Sequence, residues 1–166
     1  MTARAANLLG FLACVALLAY AYYAQYVMHL EPCPLCIFQR VGVFATGLMF
    51  AIAAAHDPAG WGRRVYAVLV SAAALTTAGI AAKHVYIQHL PPDQVPACGA
   101  SLDFMLKVFP LTEVLEKVLT GSGECAKINW RFLGLAMPAW VLIAALGLLA
   151  WGLWANLRRR PPVLRF

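Results

Sequence analysis

Four long apolar runs set the pattern of this chain, at about 8–28, 35–55, 65–86 and 132–157, with polar breaks between them. The first, Leu8–Met28, is 21 residues, enough to cross roughly 30 Å of hydrocarbon at about 1.5 Å per helical residue. The pattern predicts an all-α, four-transmembrane-helix bundle in a single integral membrane domain spanning 1–166. Arg4 precedes the first run as in a signal peptide. The run outlasts the usual signal core, however, and continues into Tyr22-Tyr23-Ala24-Gln25-Tyr26, an interfacial aromatic girdle, so a retained helix is expected. The second run carries one charge, Arg40, near enough to its outer end to snorkel. His56-Asp57-Pro58-Ala59-Gly60 reads as a turn, and Trp61, Arg63 and Arg64 anchor the third run. Pro138 is expected to bend or loosen the outer portion of the last.

Two polar segments remain, about 29–34 and 87–131. The second is 45 residues long, and a connection of that length normally carries structure of its own. Leu111, Val114, Leu115, Val118 and Leu119 recur at helical spacing after Pro110, predicting a short helix. That helix either lies along the membrane interface or caps the bundle. Four spans put Arg4, Arg63, Arg64 and Arg158–Arg160 on one side, the cytoplasmic one by the positive-inside rule. Both termini are then cytoplasmic, and the two polar loops share the opposite, periplasmic side.

Composition agrees. Apolar residues make up 63% and charged residues 12%, about half the charged share of a soluble domain. The net charge of +6 sits at the ends of apolar runs rather than among exposed aromatics, so nucleic acid is not an expected partner. Five cysteines add chemistry. Cys33, Cys36, Cys98 and Cys125 fall in or beside the polar loops, whereas Cys14 lies within a span as a small apolar filler. Four cysteines on one face argue for two disulfides in an oxidising compartment.

Cys33 and Cys36 form a C-x-x-C pair inside Glu31-Pro32-Cys33-Pro34-Leu35-Cys36-Ile37-Phe38-Gln39-Arg40. Pro34 suits the first turn of a helix, which puts the pair at a helix N-terminus, where unpaired N–H groups favour a thiolate. A loop this short gains little stability from cross-linking, so exchange chemistry explains the pair better than a structural staple. Arg40 follows Cys36 by four residues on the same helical face, where it could stabilise negative charge or simply anchor the interface. Taken alone, His84 is no better a candidate than His29 or His89, and Met137 no better than a packing residue.

The ordered blocks 31–40, Lys83-His84-Val85-Tyr86-Ile87-Gln88, Pro96-Ala97-Cys98-Gly99, Ser122-Gly123-Glu124-Cys125-Ala126 and 130–140 closely resemble the bacterial DsbB family of inner-membrane disulfide bond formation proteins. The resemblance implies a protein-dithiol:quinone oxidoreductase that reoxidises a soluble periplasmic thiol oxidase of the DsbA type. Electrons would pass through Cys98/Cys125 and Cys33/Cys36 to ubiquinone or menaquinone. It makes Cys33, Cys36, Cys98, Cys125 and Arg40 the catalytic set, and Cys36, Arg40, His84 and Met137 the quinone contacts, with no resident metal. In the implied order, the partner attacks Cys98, Cys125 is released to exchange with Cys33, and Cys36 acts on the quinone. A vitamin K epoxide reductase-type enzyme would be expected to order its helices and cysteine pairs differently. A soft-metal-ion transporter or metal-binding membrane module is the alternative from another class. It should line mid-membrane with ligands, and these runs offer little there beyond Cys14.

Overall fold

The computed structural model describes residues 1–91, 93–95, 107–108, 110, 112–114 and 123–158, with backbone only for Glu124. The elements are α1 (Ala3–Tyr26), α2 (Pro34–His56), α3 (Trp61–Gln88), the single turn α4 (Gly123–Ala126), β1 (Arg131–Phe132), β2 (Leu135–Ala136) and α5 (Met137–Leu157). The helices α1, α2, α3 and α5 are each long and apolar enough to cross a membrane. Cys98 and most of the expected Leu111–Leu119 helix lie outside the described residues.

Local chemistry sets the helix ends. Thr2 caps α1, its hydroxyl accepting from the Ala5 N–H at 3.1 Å. Cys33 is the N-cap of α2 and Pro34 opens its first turn, where a missing N–H costs nothing. Asp57, at φ 39°, closes α2 in the left-handed region.

The fourth span departs from expectation at its start. Instead of helix from 132, β1 and β2 pair antiparallel, with Arg131 opposite Ala136 and Phe132 opposite Leu135. Leu133 (φ 50°) and Gly134 (φ 81°) supply the two positive-φ turn positions that a tight hairpin needs. Hydropathy alone carries the apolar run straight through this turn. Pro138 therefore sits in the first turn of α5 and starts that helix rather than bending it.

The helices pack in the order α1–α2–α3–α5, with the α3/α5 and α1/α2 seams the most extensive. In the membrane interior, Cys14, Val43, Phe50, Val70 and Leu148 form one buried cluster. Small residues allow the close approach: a Cβ on Gly10 would meet the Phe50 ring at 2.8 Å, and one on Gly47 would meet Cys14 Cβ at 2.9 Å. Cys14 is the buried filler its position suggested, 1% exposed. A second cluster, Leu35, Ile87, Val114 and Cys125, joins the outer ends of α2 and α3 to α4. Within the described part of the 111–119 segment, Val114 thus turns inward and packs on the bundle.

At the opposite end, the side chains of Asn7 and Asn156 exchange two hydrogen bonds, at 3.1 and 3.0 Å, and both are buried. Trp151 Nε1–H donates to the Ala6 carbonyl beside them at 2.8 Å. In an apolar surround such matched polar pairs hold two helices in register.

Candidate functional site

The outer end of the bundle gathers residues far apart in the chain. Cys33, at the α2 N-cap, and Cys36, one turn inside, have their sulfurs 3.3 Å apart. This is the positively polarised end of the helix. The Cys33 Sγ, a His84 ring nitrogen and the Cys125 Sγ all lie within 4.8 Å of one another. Cys125 reaches this position from α4, which packs against the end of α3. Cys33 therefore stands between its C-x-x-C partner and a cysteine 92 positions away, the arrangement that sulfur-to-sulfur exchange requires.

His84 is fixed from two sides. Its Nδ1 lies 3.0 Å from Gln39 Nε2, and its Nε2 lies 3.1 Å from the Cys125 carbonyl oxygen and 3.7 Å from Cys33 Sγ. A Gln39 amide that donates to Nδ1 leaves the ring proton on Nε2, aimed at the Cys125 carbonyl and the sulfur beside it. His84 is buried, whereas His29 and His89 are exposed, and His89 is engaged with the Val85 carbonyl of its own helix. The geometry thus separates three histidines that composition and spacing left equivalent.

Arg40 shares the pocket with Cys36, but its hydrogen bonds run to α1. The guanidinium donates to Gln25 Oε1 and, at 3.0 Å, to the Ala21 carbonyl, and it lies 5.2 Å from the centre of the Tyr22 ring. It therefore clamps α1 to α2 as well as presenting charge near the thiols. A guanidinium has five N–H donors, so two fixed contacts orient it without exhausting it.

A cavity of about 130 Å³ opens beside these groups, lined by Cys33, Cys36, Gln39, Arg40, His84 and Met137 among mostly apolar neighbours. Against the ~30 Å³ share of one liquid water, it has room for a planar ring. An apolar wall with a few converging polar groups is the usual make-up of a small-molecule site. Trp130 and Ala136, flanking or within the hairpin, form part of the wall, so the hairpin helps to close the pocket. Leu17 lines this cavity and also an open groove along the α1/α5 seam, bordered by Ala13, Ala144 and Gly147.

Cys33, Cys36, Arg40, His84, Met137 and Cys125 thus come together, and Cys98 lies outside the described residues. Gln39 and Gln25, which hold His84 and Arg40, had no role in the sequence reading. Each is an uncharged amide within an apolar or aromatic stretch, the one sequence signal by which they could have been found.

The model of the family described as disulfide bond formation protein DsbB matches residues 3–155. Among curated proteins, disulfide bond formation protein B of Methylococcus capsulatus is 54% identical over 160 residues, covering 95% of this chain and 98% of the relative. That of Nitrosococcus oceani is 55% identical over 146 residues, 88% of this chain and 86% of the relative. The Chromobacterium violaceum protein is 48% identical over 160 residues, 96% of each.

Proposed function

The chain belongs to the DsbB family of disulfide bond formation proteins, and from that premise we propose that it is a protein-dithiol:quinone oxidoreductase reoxidising a DsbA-like periplasmic thiol oxidase. The observation that supports this reading most directly is the meeting of three sulfurs with one ring-sized apolar cavity. Cys33 and Cys36 line the cavity, while Cys125 Sγ lies within 4.8 Å of Cys33 Sγ.

The thiol steps balance as disulfide exchange. A thiolate of the reduced partner attacks the Cys98–Cys125 disulfide at Cys98, forming a mixed disulfide and releasing Cys125. The partner's second thiol resolves that mixed disulfide, leaving oxidised partner. Cys125 attacks the Cys33–Cys36 disulfide at Cys33, so that a Cys33–Cys125 bond forms and Cys36 leaves as thiolate into the cavity wall. Cys98 then attacks Cys125 of that bond, restoring the Cys98–Cys125 disulfide and releasing Cys33, so each step exchanges one S–S bond for another and two electrons collect on Cys33 and Cys36 beside the cavity.

The cavity fits a quinone ring by size and by its apolar walls, and a bound quinone supplies a sink for two electrons and two protons. Arg40, oriented by Gln25 and Ala21, presents positive charge there. His84, held by Gln39, turns its Nε2–H toward the Cys125 carbonyl and the Cys33 sulfur at the same wall. Met137 contributes apolar surface from α5. The α1/α5 groove, which shares Leu17 with the cavity and is lined mostly by apolar residues, suits an isoprenoid chain. In this reading the protein lies in the bacterial inner membrane, both termini cytoplasmic and the thiols periplasmic.

The test is anaerobic reaction of purified protein with reduced thiol oxidase and either ubiquinone or menaquinone. One quinone reduced per partner disulfide formed is expected, and a Cys98-linked heterodimer should accumulate when the partner lacks its second, resolving cysteine. Intact, oxidised protein that reduces neither quinone would defeat the proposal.

A further inference from the structure

We infer that the reduced protein binds one thiophilic divalent cation of the zinc group at Cys33, Cys36, Cys125 and His84, and that this occupancy blocks disulfide exchange until the metal leaves. The donors form a Cys₃His set, one of the combinations that tetrahedral zinc favours.

The spacing already approaches what a metal would impose. Tetrahedral bonds of about 2.3 Å to sulfur and 2.0–2.1 Å to nitrogen put ligand atoms about 3.8 Å (S···S) and 3.5 Å (S···N) apart. Here Cys33 Sγ lies 3.3 Å from Cys36 Sγ and 3.7 Å from His84 Nε2, and the Cys125 sulfur is within 4.8 Å of both Cys33 Sγ and the ring. Cys33, His84 and Cys125 already face one another, and rotation of the Cys36 side chain, whose sulfur lies 3.3 Å from that of Cys33, supplies the fourth donor.

The surroundings suit such a site. His84 and Cys125 are 2% and 1% exposed, so water competes poorly for the cation. Turned by 180°, the Gln39 amide presents Oε1 to Nδ1–H, the outer partner that a metal-ligating imidazole takes. Arg40, the nearby cation, is held by its contacts with Gln25, Ala21 and Tyr22 on α1.

Binding is an acid–base event without electron transfer. Three thiols each release a proton, three metal–sulfur bonds and one metal–nitrogen bond form, and no group is oxidised. The site exists only while the three sulfurs are thiols, because either a Cys33–Cys36 or a Cys33–Cys125 disulfide removes two ligands. Thiophilic cations would then arrest the protein in its reduced state and spare the oxidised one.

Binding is read without quinone or thiol oxidase, so its result is independent of the proposed activity. Full-length reduced protein in detergent is titrated anaerobically with Cd²⁺, following the ultraviolet thiolate-to-cadmium band, with Zn²⁺ as competitor. One Cd²⁺ per chain is expected in wild type and in Cys98→Ser, with none retained by oxidised protein. Cys125→Ser and His84→Ala should each weaken binding by more than the roughly 10- to 100-fold that loss of a ligand's hydrogen-bond partner costs. Helical circular dichroism checks that each variant is folded. X-ray absorption of the wild-type complex should count three sulfurs and one nitrogen. Unchanged affinity in folded Cys125→Ser and His84→Ala, a two-sulfur shell, or loss of binding in Cys98→Ser would overturn the assignment.

Discussion

Replacing Gln39 by leucine removes the amide that meets His84 Nδ1 at 3.0 Å while keeping similar bulk. Both residues are buried, at 3% and 2% exposure, so water does not replace the lost partner. An unpaired buried nitrogen of this kind costs about 1–3 kcal/mol. If that cost falls on holding the ring toward Cys33 and the cavity during turnover, the rate drops about 5- to 150-fold. The assay is anaerobic quinone reduction driven by reduced thiol oxidase, normalised to folded protein. A double-mutant cycle carries the decision: in a His84→Ala background, Gln39→Leu should have little further effect. Full additivity of the two losses, or wild-type turnover in folded Gln39→Leu, would refute the idea that Gln39 acts through His84.

Three further outcomes follow from the same geometry. Arg40→Ala should raise the quinone concentration needed for half-maximal rate, and Arg40→Lys should restore it only in part, because one ammonium does not reproduce a planar fork spanning Gln25 and Ala21. An unchanged quinone titration would take Arg40 out of the site. Asn156→Leu should destabilise the bundle by about 1–3 kcal/mol in mixed-micelle unfolding, since it strands the buried Asn7 amide. Adding Asn7→Leu should recover part of that loss, because the pair itself is expected to be worth only about 0.6 kcal/mol. Leu133→Asn should ease the positive φ of 50° at the hairpin turn, because the short polar side chain of asparagine hydrogen-bonds locally in that region and that of leucine does not. Slower amide exchange across residues 131–136 would register the gain, and faster exchange would contradict it.

Much of the architecture was legible in the linear pattern. Lipid admits backbone only as helix or closed barrel, so four apolar runs of adequate length leave little freedom in fold class. Pro34 marked the start of α2 because its missing N–H is harmless only there. Pro138 obeys the same rule, but read inside an apolar run from 132 it was expected to bend a helix that it instead starts. Residues 132–136 are as apolar as the helix that follows, and hydropathy does not register the two positive φ values that turn the chain back. Asn7 lay just outside the expected first span and went unweighed, yet the helix begins at Ala3 and makes it a buried partner of Asn156.

The sequence by itself determined the chemical inventory: a C-x-x-C pair at a helix start, two further loop cysteines, and a run of basic residues at the other ends of the spans. Proline, cysteine and arginine carry those meanings within a few residues, through backbone geometry, thiol chemistry and charge. Only the tertiary structure decided which histidine faces the sulfurs, that Cys125 comes beside Cys33, and that Gln25 and Gln39 hold Arg40 and His84. Those facts depend on how α1, α2, α3 and α4 rotate and slide against one another. That rotation is fixed by packing small residues against rings across the bundle, an interaction between positions dozens of residues apart that no local pattern records.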